Sequence, residues 1–220
     1  MTLLTRRSFA IGATALATVP ATPVLAQTAS RTFQFLRGDN PIGTHSITVE
    51  QSSLGLTAVH DIDIAVVGLG IITLYSYKLN CTETYDLNGN LMSLIGTCND
   101  DGDEHFVNVN RTANALSVEG SSYSGPAPGT AGAASYWRQE ALQRAPWIST
   151  QSGKLLPMTT SQIASTEAPA GATAYRATNG TDYTIDLFYD SQGEWVGSAF
   201  DAKGERATLK LISQTGALRG

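Results

Sequence analysis

From Phe33 onward, apolar and polar residues alternate with a period of two along most of this chain. That spacing sets one face of a β-strand in a core and the other in water. His45, Ile47 and Val49 alternate with Thr44, Ser46, Thr48 and Glu50, and Leu56, Ala58, His60, Ile62, Ile64 and Val66 share the next face. Tyr75, Tyr77, Leu79, Cys81 and Tyr85 share the one after it, and shorter runs follow at 91–98, 105–111 and 115–119. A second series covers 147–151, 155–165, 172–178, 183–189, 195–200 and 206–212, broken by Ser152-Gly153, Asn179-Gly180 and Lys203-Gly204, pairs with hairpin-turn chemistry. Residues 121–132, rich in Gly, Pro, Ser and Ala, read as a loop. Residues 133–144, with Trp137 and Ala141 on one face and Pro146 as a stop, read as a helix. The expected fold is mainly β, a strongly curved antiparallel sheet or incomplete barrel of ten or more strands, with one helix covering the concave face.

The first residues fall outside this pattern. Thr5-Arg6-Arg7-Ser8-Phe9 precedes a weakly apolar stretch ending at Pro20, and Val24-Leu25-Ala26 carries small residues where a signal peptidase reads. This is the build of a twin-arginine export signal, cleaved after Ala26. The apolar run of about 11 residues is too short for a bilayer, which takes about 20. The expected organisation is therefore a signal at 1–26 and a single β-rich domain at 27–220. The periplasm is the expected location, with the twin-arginine translocase and signal peptidase as partners during export.

Removing the signal takes away two arginines and no acid, leaving 12 basic and 19 acidic residues. A net charge of −7 over those residues argues against nucleic acid as a partner. No later stretch is long and apolar enough to span a membrane.

Cys81 and Cys98 are the only cysteines and flank the turn Asp86-Leu87-Asn88-Gly89-Asn90. A two-residue turn at Asn88-Gly89 sets Cys81 opposite Gly96, with Cys98 as its diagonal neighbour, and a bulge at Gly96 would bring the sulfurs together. In an oxidising compartment a disulfide is expected; two buried thiols and a redox pair are the alternatives.

Candidate chemistry is sparse. If Ser52-Ser53 forms a two-residue turn, His45 and His60 meet directly across adjacent strands, close enough to share a metal with His105 or a carboxylate as a third ligand. The competing reading gives each imidazole an ordinary hydrogen bond, and no cofactor is assigned. The acidic run 99–105 lacks the EF-hand order, and a solvated Asp-Gly hairpin turn accounts for it. Asp61 and Asp63 read as a solvated outer face. No Gly-x-Ser-x-Gly elbow or phosphate loop is present. The aromatic residues, Tyr75, Tyr77, Trp137, Trp147 and Phe188 among them, either pack a core or line a pocket for an apolar ligand.

Several segments together resemble a family of uncharacterised exported proteobacterial proteins known only as a domain of unknown function. They are Gly38 to His45, Cys81-Thr82-Glu83, Asp100-Asp101-Gly102, Ser135-Tyr136-Trp137, Thr150 to Leu155 and Asp186 to Asp190. Members often carry His at Tyr136 and Trp at Phe188. The family is similar in architecture to periplasmic lipoprotein carriers, whose incomplete barrel wraps a helix over an apolar cavity. The lead expectation is a non-enzymatic binder of an apolar or amphiphilic molecule, such as a lipid, or of an envelope partner, through His45, His60, Tyr75, Tyr77, Trp137, Trp147 and Phe188. The alternatives are a metal-dependent or acid–base enzyme using His45, His60 and nearby carboxylates, and a structural envelope component.

Overall fold

The structure, a computed structural model, describes residues 27–68, 72–180, 183–202 and 204–218. Arg6, Arg7 and Ala26, the residues of the expected signal, lie outside them. Period-two burial is realised almost strand for strand. The chain starts with β1 (Gln27–Arg37), β2 (Asn40–Ser52), β3 (Gly55–Gly68) and β4 (Ile72–Tyr85). It continues through β5 (Leu91–Asp100), β6 (Asp103–Arg111), β7 (Ala115–Gly120) and β8 (Ser124–Pro128). After an insert come β12 (Thr159–Ile163), β13 (Thr173–Thr178), β14 (Thr184–Tyr189), β15 (Trp195–Ala202) and β16 (Glu205–Thr215). All thirteen form one antiparallel sheet in the order β12-β13-β14-β15-β16-β1-β2-β3-β4-β5-β6-β7-β8. β1 thus sits between β16 and β2 and joins two meanders, one running forward from it and one running back. The loop expected at 121–132 contains β8, whose Pro126 and Pro128 suit the sheet edge they occupy.

The insert crosses the inner face. It holds three two-residue strands, β9 (Gly132–Ala133), β10 (Trp147–Ile148) and β11 (Leu155–Leu156), in a small sheet of their own. The helix expected at 133–144 does not form: the segment has only a 3-10 turn at Gln139–Gln143. Three commitments override its helical spacing. Gly132 and Ala133 pair with Trp147 and Ile148, Tyr136 turns left-handed at φ 43°, and Arg138 is extended and bridges to Glu194. A left-handed non-glycine residue cannot continue a right-handed helix.

The insert also reports how tightly the sheet rolls. The Tyr189 hydroxyl on β14 donates to the Tyr136 carbonyl at 2.6 Å, and the next residue, Trp137, donates from Nε1 to Glu83 on β4 at 3.1 Å. In a flat sheet β14 and β4, six strand spacings apart, would be separated by nearly 30 Å. Neighbouring residues of one segment reach both only because the sheet curls around them. One core cluster accordingly draws on both arms of the sheet and on the insert, including Phe33, Ile47, Leu94, Leu116, Trp147, Ile185 and Trp195. Among the described residues, no helix is long and apolar enough to cross a membrane.

Candidate functional site

The inner face of the roll carries polar groups in phase with its apolar rows. On β2 and β3 these are His45 and His60. The hairpin between them turns at Ser53-Leu54, because Ser52 pairs with Gly55. The Ser52 hydroxyl donates to the Gly55 carbonyl and accepts from the Leu54 amide. Gly55, at φ 139°, packs so closely that a Cβ would lie 1.9 Å from the Tyr85 carbonyl oxygen. Ile47 therefore faces His60, and His45 faces Ile62. The histidines stand diagonally on the same face rather than directly opposite, and they still meet: His45 Nε2 lies 3.1 Å from His60 Nδ1.

Behind them is a residue the sequence reading passed over. Glu83 lies on β4 in step with Leu79, Cys81 and Tyr85 and is fully buried. Its Oε1 is 3.6 Å from His60 Nε2, a contact longer than a hydrogen bond. Its Oε2 accepts from the Tyr85 hydroxyl at 2.5 Å and from Trp137 Nε1 at 3.1 Å, and Ser135 adds a further bond. Burial opposes the charge, but the attraction of His60 and the bonds from Tyr85 and Ser135 outweigh it and hold the carboxyl down at about 2. Burial first, then His60, push His45 well below the usual imidazole range, so His45 is a neutral ring. The signal for Glu83 was available: a carboxylate occupying a core position in a period-two apolar row.

The line Glu83–His60–His45 borders a chamber of about 400 Å³. The floor of this chamber is the turn 149–154 of the insert, which rests on two strand glycines. A Cβ at Gly96 on β5 would lie 2.3 Å from the Thr150 carbonyl oxygen, and one at Gly120 on β7 would lie 2.5 Å from that of Ser152. A second pocket of about 520 Å³ adjoins it, lined by Phe35, Ile42, Ile64, Val66, Leu74 and Phe200 among others. The two share Ile62, Tyr77, Tyr136, Gln151 and Tyr183. At that junction the Tyr136 and Tyr183 side chains meet, and burial raises the Tyr183 phenol to about 12. The result is two adjoining pockets, an apolar arm and a polar chamber, with a common wall.

The expected site residues divide. His45, His60, His105 and Tyr77 line the polar chamber, and Tyr75 and Tyr77 line the apolar arm. Trp137 and Trp147 are buried in the core that backs the cleft. Phe188 lies on the other face of the sheet, packed with Ala174 and Ala199. His105 hydrogen-bonds Ser121. Among the described residues no three His, Cys, Asp or Glu side chains gather as a metal site. The run 99–105 is the β5–β6 hairpin turn, with Asp101 and Gly102 at positive φ and the Gly102 amide bonded to Asn99.

The expected disulfide is corrected: Cys81 and Cys98 are both free and buried. Cys81 does face Gly96, but the bulge falls at Thr84/Tyr85 beside the turn. The cysteines stay diagonal neighbours, typically 7–8 Å apart, beyond the usual Cα separation of a disulfide. The Cys81 thiol instead points to Glu83 Oε1 at 3.8 Å, and burial raises the Cys98 thiol to about 11.

The fold and cleft define an antiparallel, barrel-like β protein with a ligand-sized interior. The chain belongs to the family described as Domain of unknown function (DUF6134), whose model matches residues 33–212. It is similar in fold to a crystal structure from Brucella abortus, a beta-barrel-like protein of domain of unknown function DUF1849. That match has a TM-score of 0.58 at 11% identity and covers 88% of this chain and 98% of the other. No curated protein matches the chain.

Proposed function

We propose that this protein is exported to the periplasm and there binds an amphiphilic molecule, its apolar chain in the outer arm of the cleft and its polar end in the inner chamber. The observation that carries this reading is that an apolar and a polar pocket lie side by side and share Ile62, Tyr77, Tyr136, Gln151 and Tyr183 as walls. Each is of a size that small-molecule sites use, and an apolar wall with a few convergent polar groups is their usual make-up. The export signal at 1–26 supports the location, and the rolled architecture provides an interior without defining its ligand.

The test is native mass spectrometry of protein prepared from the periplasm, followed by titration of the stripped protein with dodecanol. A lipid-sized adduct removed by organic solvent and saturable dodecanol binding are expected. Ile64→Glu, which sets a charge in the apolar arm, should weaken that binding by about tenfold or more. Absence of both adduct and dodecanol binding would defeat the proposal and favour a structural envelope component. An acid–base enzyme is the second reading, favoured by the buried Glu83–His60–His45 line. It ranks behind because, among the described residues, no hydroxyl nucleophile is hydrogen-bonded to His45 or His60.

A further inference from the structure

Two observations about the polar chamber go beyond amphiphile binding. The first concerns charge. In a chain with 19 acidic against 14 basic residues, the chamber is lined by His45, His60, His105 and Lys154 and by no Asp or Glu. Glu83 is sealed behind His60. The rest of its polar lining is neutral, the hydroxyls of Ser122, Ser149, Thr150 and Ser152 among it. Such a surface favours an anion.

The second concerns protons. Each neutral imidazole has one donor nitrogen and one acceptor. The carboxylate at Glu83 places a proton on His60 Nε2. With both rings neutral, His60 Nδ1 accepts from His45 Nε2, and His45 Nδ1 is a bare lone pair. When His60 takes up a proton from solvent, its Nδ1 becomes a donor. His45 Nε2 must then accept, and the one proton of the still neutral His45 moves to Nδ1. The net change is one added proton, with a cation on His60 beside Glu83 and a donor at the far end of the line. In the structure His45 Nδ1 is buried and has no hydrogen-bond partner. His60 Nε2 is likewise without a hydrogen bond but has the Glu83 carboxylate 3.6 Å away; at His45 Nδ1 the unmet atom is where a ligand group can be accepted.

Resting on the amphiphile reading, we infer that the chamber is a receptor for an acidic oxygen head, a carboxylate or a phosphate monoester, and that this head receives a hydrogen bond from His45 Nδ1 once the line has taken up a proton. Lys154, exposed at the chamber's edge, supplies a positive contact. The titratable groups facing the pair are Tyr77, Cys81, Glu83 and Tyr85 from β4, Tyr136 from the insert, and His105, Lys154 and Tyr183 around the chamber. β1 and β15 present the rings of Phe33 and Trp195, and β1 carries Arg31 two residues along the same face, committed to Glu194.

Laurate, dodecyl phosphate and dodecanol share one chain length and differ in the head. Titration calorimetry in two buffers of different ionisation enthalpy measures both affinity and protons exchanged. At least one of the two anions should bind about tenfold or more tighter than dodecanol, with uptake of about one proton, and should weaken as the pH rises. The anion that binds tighter identifies the head. His45→Leu should abolish the anion preference and the proton uptake; Lys154→Met should lower anion affinity and keep the uptake. Should His45→Leu fail to fold, imidazole nitrogen NMR of the unmodified protein reads the same event: His45 Nδ1 should pass from unprotonated to protonated on adding the anion. Equal affinity for all three probes, or tighter anion binding without proton uptake and without that Nδ1 change, would overturn the inference and leave the amphiphile reading standing. Failure of all three to bind would overturn both.

Discussion

At the scale of single residues, the site is a charge that the core has been built to hold. A carboxylate buried among apolar side chains would ordinarily be driven to its neutral form. Glu83 escapes because three donors and an imidazole meet it. The same burial keeps His45 neutral, and this has a measurable consequence. Unfolding exposes His45 to water, where it takes up a proton near pH 6.5, a proton the folded ring refuses. The unfolded chain then binds more protons below that pH, and stability falls as the pH drops. Glu83 adds a second limb: its stabilisation is complete above its ordinary 4.5 and is lost as the pH falls from there toward about 2. Urea unfolding at a series of pH values from neutral to acid should show a decline approaching 1.4 kcal/mol per pH unit, about one proton's worth, over the first limb. His45→Phe should flatten that limb and leave the more acidic one. Equal slopes in the two proteins would place the titrating group elsewhere.

At the scale of elements, glycines in strand interiors decide where the insert lies. A glycine there ordinarily weakens a strand, and its usual compensation is the close approach of another backbone. Gly96 and Gly120 meet the carbonyls of Thr150 and Ser152 in this way. Gly96→Ala and Gly120→Ala each force a methyl group into a backbone oxygen. Each should destabilise the protein by about 1–3 kcal/mol in urea unfolding and loosen the chamber floor, so that ligand binding weakens along with stability. Gly102→Ala is the control: it sits in the β5–β6 turn, and its Cβ would meet nothing within 4 Å. Its cost would come only from its positive φ, and it should leave ligand binding unchanged. If binding drops equally in all three, the chamber floor is not what the strand glycines support. The insert also explains the missing helix. An isolated segment with helical spacing gains little from forming a helix, whereas pairing with β10, the bridge to Glu194 and the placement of Trp137 against Glu83 all reward the extended path.

At the scale of the whole molecule, β1 pairs with both β2 and β16, so the beginning and end of the domain are joined in the middle of the sheet. A buried ion pair, Arg31 to Glu194 at 2.7 Å, and the Leu218 amide bonded to the same carboxylate at 2.9 Å fasten the C-terminal tail to that junction. A molecule closed in this way gains from folding as one unit, which suits a route that exports folded cargo. Replacing Arg6-Arg7 with two lysines should therefore leave the protein in the cytoplasm, whereas the unmodified chain should yield a periplasmic species beginning at Gln27. Intact-mass measurement of the two fractions decides the matter, and a periplasmic product from the lysine variant would rule out the twin-arginine route.

The local rules of the chain determined the strands, the turn chemistry and the parity of each face. Side-chain direction in a strand depends only on odd and even position, so His45 and His60 share the inner face although the hairpin turn falls one residue later than Ser52-Ser53. The Cys81–Gly96 register was legible for the same reason. What depended on contacts between distant segments was not. Whether the histidines stand opposite or diagonal follows from Gly55 packing on Tyr85, whether the cysteines are bridged follows from a bulge at Thr84/Tyr85, and whether 133–144 coils follows from partners on β10 and at Glu194. Glu83 was visible as an acid in an apolar row, but its meaning came only from the roll of the sheet, which brings Trp137, Tyr85 and His60 around one carboxylate. Period and turn chemistry are properties of neighbours in sequence; the cleft is a property of neighbours in space.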